Sequence, residues 1–393
     1  MISANAKFDA FCKVRGKVVY MSVKVVKIPE SRKSLNHFIK FEFKLYHEDE
    51  DWVAPLLSDM KSTLKGKNNP LFANGPHAFF MAFEDKKPVG RILVGIDEVL
   101  NEQKGFQQGY FSLFECKENY EAAKALFDAG VAWLKKQGMN TVIGPLSPSN
   151  GDDRKGFVVE GDGQPVLLNA YTKKYYPDFA ERYGFVKNDD HYAYLFNPRE
   201  ADIDRMQKLV DIAKRQYNFR IDRLDTKEVM RESLAIKEVL DQSIPDTWDY
   251  LVAPTLEGVM EEFNSLKQFY NGRLCYIARS GDRPVGFMLA LPDFNQVLKK
   301  MKGKILPMGW LKYLYYKRKI TGARGLVQCV VKEYQNRGVP HAMYFETYKD
   351  CIELGVDFIE ASCIDETNYA SRNCIERVGG ERYRTYRTYR YNF

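Results

Sequence analysis

The sequence predicts an α/β protein, classed as α+β in some schemes, that consists of two similar domains. The chain has 393 residues, which is more than one compact core usually contains. Two segments, 78–97 and 274–293, both have the pattern strand, turn, strand around a Pro-Val-Gly sequence. The matching glycines, Gly90 and Gly286, lie 196 residues apart, about half the length of the chain. We therefore expect an internal repeat of roughly 190 residues.

Caps and apolar patterns give the elements of the first half. Ser31 and Asn119 each precede an amphipathic run, as helix N-cap residues do, and Gly138 ends the second of these runs. The predicted elements are a strand at Val23–Ile28, helices at 31–46 and 52–64, the hairpin at 78–97, a strand at Gly109–Glu115, a helix at 119–138, a strand at Thr141–Gly144, a helix at 171–183 and a strand at His191–Phe196.

The second half repeats this order after a linking helix at 200–216, but each half has one extra segment. The first half has additional residues around 150–171, and the second has about 21 additional residues between its hairpin and Gly355. Insertions of this kind are where copies of one fold acquire separate functions. We expect an N-terminal extension at 1–22, a first domain at 23–198 and a second domain at 199–393.

Composition excludes several classes of protein. The chain is 45% hydrophobic and 28% charged, and it contains no apolar run of 18 residues, so we expect no transmembrane helix. Its first 20 residues lack the pattern of a signal peptide. The seven cysteines form no CxxC pair and the five histidines are scattered, so we expect reduced thiols, a cytoplasmic protein and no metal site.

The segment 326–348 predicts a phosphate-binding turn. An apolar, β-branched run to Val331 is followed by a polar turn with Gly338, and Pro340 then opens a helical pattern. The start of a helix presents free backbone N–H groups and a partial positive charge, which suit a phosphate. Proline has no N–H, so position 340 supplies no donor.

The spacing Gln335-x-x-Gly338-x-Pro340 resembles the Gln/Arg-x-x-Gly-x-Gly/Ala loop of the GNAT superfamily of acyl-CoA N-acyltransferases. The order of elements resembles the GNAT fold in both halves. The resemblance implies two tandem GNAT-like domains, each with a mixed central sheet flanked by helices, and acetyl-CoA or a longer acyl-CoA as cosubstrate. The corresponding stretch of the first half, 115–123, contains no glycine. The second half is therefore the expected acyl-CoA site.

The resemblance also implies roles for particular residues. The usual general-acid tyrosine is absent, because Ile375 and Ala180 stand at its two positions. Tyr369 is a substitute acid and Glu360 a base acting through water, while the alternative for Glu360 is an outward strand residue. Asn368 bonds the pantetheine arm or simply caps a helix. The residues expected to hold the acyl carbonyl and the CoA diphosphate are Val330 or Val331, Gln335, Asn336, Arg337, Gly338, Val339 and His341.

For other residues near these positions, a structural interpretation stands beside the functional one. Three cysteines would fall near the thioester, and we expect small buried thiols: Cys329, Cys363 and Cys374. Four polar residues follow the first-half strand where GNAT acceptors usually lie, or they form a polar surface loop: Asn150, Asp152, Asp153 and Arg154.

The segment 298–324 contains nine basic residues and no acidic one, whereas the whole chain has a net charge of +7. Trp310 and several leucines and tyrosines are interleaved with these cations. This pattern is typical of a segment lying in the interface of an anionic membrane, here the inner membrane face. A basic loop whose apolar side covers its own domain and a nucleic-acid contact are the alternatives; no nucleic-acid-binding motif accompanies the segment.

The two-copy layout and the sequence GPLSPSN at 144–150 are similar to a bacterial, ceramide-synthase-like branch of two-copy GNAT proteins. This resemblance implies transfer of a fatty acyl group to a sphingoid-type amine. The leading hypothesis is an acyl-CoA-dependent N-acyltransferase with a small-molecule or lipid amine as acceptor. The alternatives are a non-catalytic GNAT-fold binding protein and a transferase that uses a carrier other than CoA.

Overall fold

The predicted strands and helices are present in the predicted order, and strands at Asp9–Val14 and Phe157–Glu160 are additional. The computed structural model describes residues 9–14, 17–66, 69–149, 151, 153–244, 253–266, 269, 273–305 and 307–393. The strands are β1 (Asp9–Val14), β2 (Lys17–Ile28), β3 (His77–Glu84), β4 (Lys87–Ile96), β5 (Gln108–Cys116), β6 (Thr141–Leu146), β7 (Phe157–Glu160), β8 (Val186–Phe196), β9 (Arg220–Arg223), β10 (Cys275–Ser280), β11 (Arg283–Pro292), β12 (Gly322–Val330), β13 (Phe358–Asp365) and β14 (Glu381–Asn392).

The α-helices include those predicted, two of them with late starts discussed below, and others that the sequence does not predict. They are α1 (Arg32–Leu45), α2 (Leu57–Thr63), α3 (Pro70–Ala73), α4 (Glu98–Lys104), α5 (Tyr120–Lys136), α6 (Tyr176–Tyr183), α7 (Ile203–Tyr217), α8 (Val229–Ser243), α9 (Leu256–Leu266), α10 (Asn295–Met301), α11 (Gly309–Tyr316), α12 (Val339–Leu354) and α13 (Tyr369–Arg377). Helices α3, α4, α10 and α11 are the additional ones. No helix among the described residues is both long enough and apolar enough to cross a bilayer.

The chain divides into two units, each assembled from more than one stretch. The first unit contains Met1–His191, Leu298–Trp310 and Arg384–Phe393, and the second contains Tyr192–Val297 and Leu311–Tyr383. The end of the chain thus belongs to the first unit.

The first unit has a mixed sheet with the order β1-β2-β3-β4-β5-β6-β14. Neighbours from β1 to β5 are antiparallel, β5 and β6 are parallel, and the last residues of β14 pair antiparallel with β6. Helix α5 buries Leu126 and Phe127 against one face of this sheet. Helix α1 buries Phe38 and Ile39 in a second cluster with strand residues such as Phe79. Both faces are therefore covered, as in an α/β layer structure.

Two helices of the first unit begin later than the sequence predicts. The helix expected from residue 52 begins at Leu57, because Pro55 disfavours helical backbone at the residue before it. The helix expected from residue 171 begins at Tyr176, because Pro177 fits only the first helical turn. The predicted caps Ser31 and Asn119 are confirmed by side-chain bonds to the N–H groups of Ser34 and Ala122.

The second unit contains a sheet with the order β13-β12-β11-β10-β9. Strands β9 to β12 pair antiparallel, and β12 and β13 pair in parallel. Helix α12 packs against α7, where a salt bridge of 3.1 Å joins Lys214 to Glu346. The predicted turn lies between the end of β12 at Val330 and the start of α12 at Val339, and it includes a short 3-10 helix at Lys332–Tyr334.

The last strand of the chain stabilises the first unit. Tyr389 is fully buried in the cluster around α5, and its hydroxyl donates to Glu181 at 3.0 Å. We expect Tyr389→Ala to lower the free energy of unfolding by about 3–5 kcal/mol, since it leaves a cavity. Tyr369→Ala is the control, because Tyr369 is 65% exposed. Denaturant unfolding of both variants checks the prediction; equal stability would contradict it.

Candidate functional site

The turn before α12 leaves the start of the helix open. Gly338 is the N-cap residue with φ of 79°, and no side chain caps the helix. The first helical bond runs from the N–H of Ala342 to the carbonyl of Gly338. Within the described chain, the N–H groups of Gly338, Val339 and His341 donate to no other group. These amides can receive an anion of the size of a phosphate group.

Two side chains of the turn have local partners. The amide nitrogen of Gln335 donates to the carbonyl of Val330 at 3.2 Å, which ties the turn to the strand. The guanidinium of Arg337 lies over the rings of Tyr334 and Tyr217, 5.3 and 5.5 Å from their centroids. Asn336 is exposed and has φ of 59°. The turn thus has a defined conformation with a cation beside the open amides.

The equivalent helix of the first unit, α5, has a side-chain cap at its N-terminus. The side chain of Asn119 accepts a hydrogen bond from the N–H of Ala122 at 3.2 Å, and the N–H of Asn119 itself donates to the carbonyl of Lys117. The two copies therefore differ in whether a side chain caps the start of this helix. This difference favours the second unit as the place where a diphosphate binds.

Strands β12 and β13 separate beside this turn. Their parallel pairing runs only from Gly322 opposite Phe358 to Gly325 opposite Ala361, although both strands continue. On its other side, β12 has a bulge at Leu326, because Leu289 pairs with Val327 whereas Ala290 pairs with Gly325. A bulge leaves one residue outside the regular ladder. The separated strands can admit an extended chain, and the bulge supplies backbone polar groups next to it.

The predicted acyl-carbonyl donors lie at the end of β12, at Val330, and just after it, at Val331. The N–H of Val331 donates to the carbonyl of Val285 at 3.0 Å, so it is used within the sheet. Val330 pairs with Gly286 in the ladder. The bulge at Leu326 was not visible in the sequence, because an apolar strand carries no signal for one extra residue.

The other predicted residues of the second unit are separately placed. Asn368 caps α13 by accepting from the N–H of Ser371 at 3.1 Å, which leaves its amide nitrogen for another partner. Tyr369 is exposed. Glu360 is fully buried, with its carboxylate 3.8 Å from Arg324 on the paired strand and 3.4 Å from the hydroxyl of Tyr383. The outward orientation considered for Glu360 is thus wrong, because the register directs it towards Arg324.

Burial shifts the pKa values of two thiols and of His341. Burial raises the pKa of Cys329 to about 11 and that of Cys374 to about 12, so both stay protonated at neutral pH. Burial, together with the charge of Arg377, lowers the pKa of His341. His341 is therefore a neutral residue in the first turn of α12 at neutral pH. Among the described residues, no cluster of three or more His, Cys, Asp or Glu side chains could hold a metal ion.

The first unit contains a buried charged cluster that the sequence analysis did not find. Arg91 on β4 donates to Glu42 on α1 at 2.7 Å and lies 3.9 Å from Glu115 on β5. It also donates to the backbone carbonyl of Phe38 at 2.8 Å. Arg91 is fully buried and both glutamates are nearly so. Arg91 and Glu115 each interrupt an apolar stretch of sequence, which is the signal that could have indicated the cluster.

Two tyrosines complete the cluster. The hydroxyls of Tyr46 and Tyr176 both donate to the same oxygen of Glu115, each at 2.8 Å. The hydroxyl of Tyr176 also accepts the N–H of Cys116 at 2.9 Å. Glu115 follows a bulge in β5, where Leu113 has φ of 48°. The carboxyl is thus held in one position beside irregular strand backbone.

The insertion of the first unit supplies a second arginine to this cluster. Arg154, with φ of 59°, donates from both terminal nitrogens to the two oxygens of Glu42, at 3.1 and 3.0 Å. Asp153 accepts from Ser147 and Ser149. Asn150 and Asp152 lie outside the described residues. The polar loop that the sequence indicated therefore extends inward through Arg154.

The two glutamates have opposite pKa shifts. Although burial alone would raise it, the pKa of Glu42 is lowered by the charges and hydrogen bonds of Arg154 and Arg91. Burial and the charge of Glu42 raise the pKa of Glu115 to about 7, despite Arg91 and the two tyrosines. Glu115 can therefore take up and release a proton near neutral pH, which general acid–base catalysis requires.

Removing Glu42 should strongly destabilise the protein. Glu42→Ala leaves the buried Arg91 and the Arg154 guanidinium without their carboxylate, and we expect a loss of about 3–5 kcal/mol. Glu48→Ala is the matched control, because the Glu48 side chain is 91% exposed. Denaturant unfolding measures both, and a loss below about 1 kcal/mol for Glu42→Ala would refute the cluster's structural role.

Glu115 should make stability depend on pH. Because its pKa is raised from 4.5 to about 7 on folding, the folded protein holds an extra proton between these values, and stability falls as pH rises across that window. Glu115→Gln should remove this part of the slope of melting temperature against pH. Glu118→Gln is the control, since Glu118 is exposed. An unchanged slope in Glu115→Gln would contradict the raised pKa.

Known proteins resemble this chain over nearly its whole length. A bacterial ceramide synthase of Caulobacter vibrioides (strain NA1000 / CB15N) is 29% identical over 385 residues, covering 94% of this chain and 97% of that protein. Protein YghO of Escherichia coli (strain K12) is 28% identical over 372 residues, covering 91% and 93%. No protein-family model matches the sequence.

Among solved structures, a tandem GNAT protein from the clavulanic acid biosynthesis pathway superposes with a TM-score of 0.55. The two sequences are 11% identical, and the match covers 94% of this chain and 98% of that one. At this identity the likeness concerns the fold. The expected resemblance is confirmed: this chain has the tandem GNAT fold, and its sequence is similar throughout to a bacterial ceramide synthase.

Proposed function

We propose that the protein is an N-acyltransferase that moves an acyl group from a CoA thioester to an amine, with the thioester bound in the second unit. The observation that carries this proposal is the open start of α12 next to the separated strands β12 and β13. The amides of Gly338, Val339 and His341 would hold the diphosphate, with Arg337 beside them. The pantetheine arm would lie between the strands and receive a hydrogen bond from Asn368.

The reaction requires three events at the bulge of β12. The amine nitrogen attacks the carbonyl carbon, the negative charge that develops on the carbonyl oxygen needs a donor, and the C–S bond breaks. In the proposal the backbone at Leu326 is the donor, because it lies outside the regular ladder. The amine proton passes through water to Glu360, and Tyr369 gives a proton to the departing thiolate.

The buried cluster of the first unit is a second candidate reaction centre. Glu115 has a pKa near neutrality, which suits a general base, and it lies on a bulged strand. Rates of Glu360→Gln and Glu115→Gln as a function of pH distinguish the two centres. Loss of turnover in Glu360→Gln alone supports the second unit, and loss in Glu115→Gln alone transfers the chemistry to the first.

The acceptor that we propose is a long-chain, sphingoid-type amine. The similarity to a bacterial ceramide synthase supports this class of acceptor. Release of CoA thiol from palmitoyl-CoA should accelerate with a long-chain amine and much less with a short, water-soluble amine. Equal rates with both amines would overturn the lipid assignment but leave acyl transfer intact.

Binding of CoA can be tested without turnover. A ligand at 100 times its dissociation constant adds about 2.7 kcal/mol of stability, so acetyl-CoA and palmitoyl-CoA should raise the melting temperature. His341→Glu should weaken this binding roughly tenfold or more, because its carboxylate would repel the diphosphate. The same carboxylate is favourable in the first turn of a helix, so the fold should be retained.

His37→Glu on α1 is the matched control, since His37 is exposed and lies in the first unit. It should bind CoA thioesters as the unaltered protein does. No melting shift with either thioester would favour a non-catalytic binding protein or a different acyl carrier. Pro340, which offers no N–H, is the feature of the sequence that points towards those alternatives.

A further inference from the structure

Helix α11 exposes large apolar side chains along nearly its whole length. Trp310, Leu311, Leu314 and Tyr315 are between 41% and 58% exposed, and Met308 just before the helix is 57% exposed. Gly309 is the buried residue of this helix. Covering its own domain, which was one reading of this segment, would require these side chains to be buried. About half of each of these side chains is exposed instead, so together they form an apolar patch on the surface.

The segment before α11 is anchored to the first unit. Met301 is buried, and the carbonyl of Gly303 accepts the N–H of Leu57 at 3.2 Å. Gly303 has φ of 72°, and a Cβ there would lie 2.6 Å from the ring of Phe43 and 2.8 Å from the carbonyl oxygen of Pro55. These contacts fix the position of the segment that leads into α11. The exposed side chains of α11 therefore follow an anchored segment of the chain.

Cations surround the exposed side chains. The segment 298–324 has nine basic residues and no acidic one. The ammonium groups of Lys317 and Lys319 lie over the rings of Tyr313 and Tyr315, at 5.3 and 4.1 Å from the centroids. Tyrosine and tryptophan rings next to lysines suit the boundary between lipid headgroups and acyl chains.

A second exposed apolar pair on the same protein lacks this charge pattern. Leu209 and Ile212 on α7 are 59% and 53% exposed, but Asp204 and Asp211 lie on the same helix. Exposed apolar side chains alone are common on protein surfaces. The combination with a run of cations that contains no acidic residue distinguishes the α11 segment.

We propose that residues 308–319 form a docking surface for an anionic lipid membrane, with the apolar side chains of α11 inserted among the headgroups and the lysines facing lipid phosphates. Apolar burial and charge attraction both contribute to such binding, and each cation near the surface adds about 1 kcal/mol. This surface does not depend on acyl transfer, because it is defined by its own side chains.

Sedimentation with vesicles tests the proposal. The full-length protein should bind vesicles of phosphatidylcholine mixed with phosphatidylglycerol, bind pure phosphatidylcholine much less, and lose binding as salt is added. Removing three charges with K317Q/R318Q/K319Q should weaken binding on the order of a hundredfold. Replacing the apolar set with W310S/L311S/L314S/Y315S should abolish binding at every salt concentration.

The matched control is L209S/I212S, which removes exposed apolar side chains from α7 and should bind as the unaltered protein does. Circular dichroism checks that each variant is folded. Equal binding to neutral and anionic vesicles, no binding, or unchanged binding of the apolar variant would each overturn the proposal. A dimer that the apolar variant dissociates, or nucleic acid that displaces the vesicles, would assign the surface to a different partner. These outcomes leave the thioester-binding measurements unaffected.

Discussion

A helix must satisfy the N–H groups of its first turn, and the two copies in this protein do so in opposite ways. Asn119 closes the start of α5 with its own side chain, whereas Gly338 leaves the start of α12 open. Both helices follow the same type of strand, and the absence of a side-chain cap at Gly338 favours the second copy for an external anion. The assignment of the diphosphate to the second unit depends on this constraint.

The two copies also differ in the interior of the hairpin and the strand that follows it. Arg91 pairs across the sheet with Glu115 in the first unit, and the equivalent pair in the second is Phe287 with Cys329. The first copy thus carries buried charge where the second carries small or apolar side chains. Buried charges require partners, and Glu42 and Arg154 provide them. The insertion of the first copy is linked to this requirement because it contributes Arg154.

The second copy has its own buried pair, Arg324 with Glu360, at the point where β12 and β13 are still paired. Beyond this point the strands separate. The Arg324–Glu360 pair lies just before the strands separate and links β12 to β13 there. The gap between the two strands therefore begins at a defined position. The same glutamate can therefore contribute to the sheet and to the chemistry proposed beside it.

The sequence by itself determined the duplicated fold, the caps at Ser31 and Asn119, and the turn around Gly338, because these depend on local patterns and on spacing along the chain. It also identified the basic segment, since composition alone reveals it. The tertiary structure decided what depends on contacts between distant residues. Glu42, Arg91 and Glu115 are far apart in sequence, and only the packing of α1 on β4 and β5 brings them together and raises the pKa of Glu115. The membership of Arg384–Phe393 in the first unit was likewise decided by strand pairing, because a strand carries no local signal for which partner it will join.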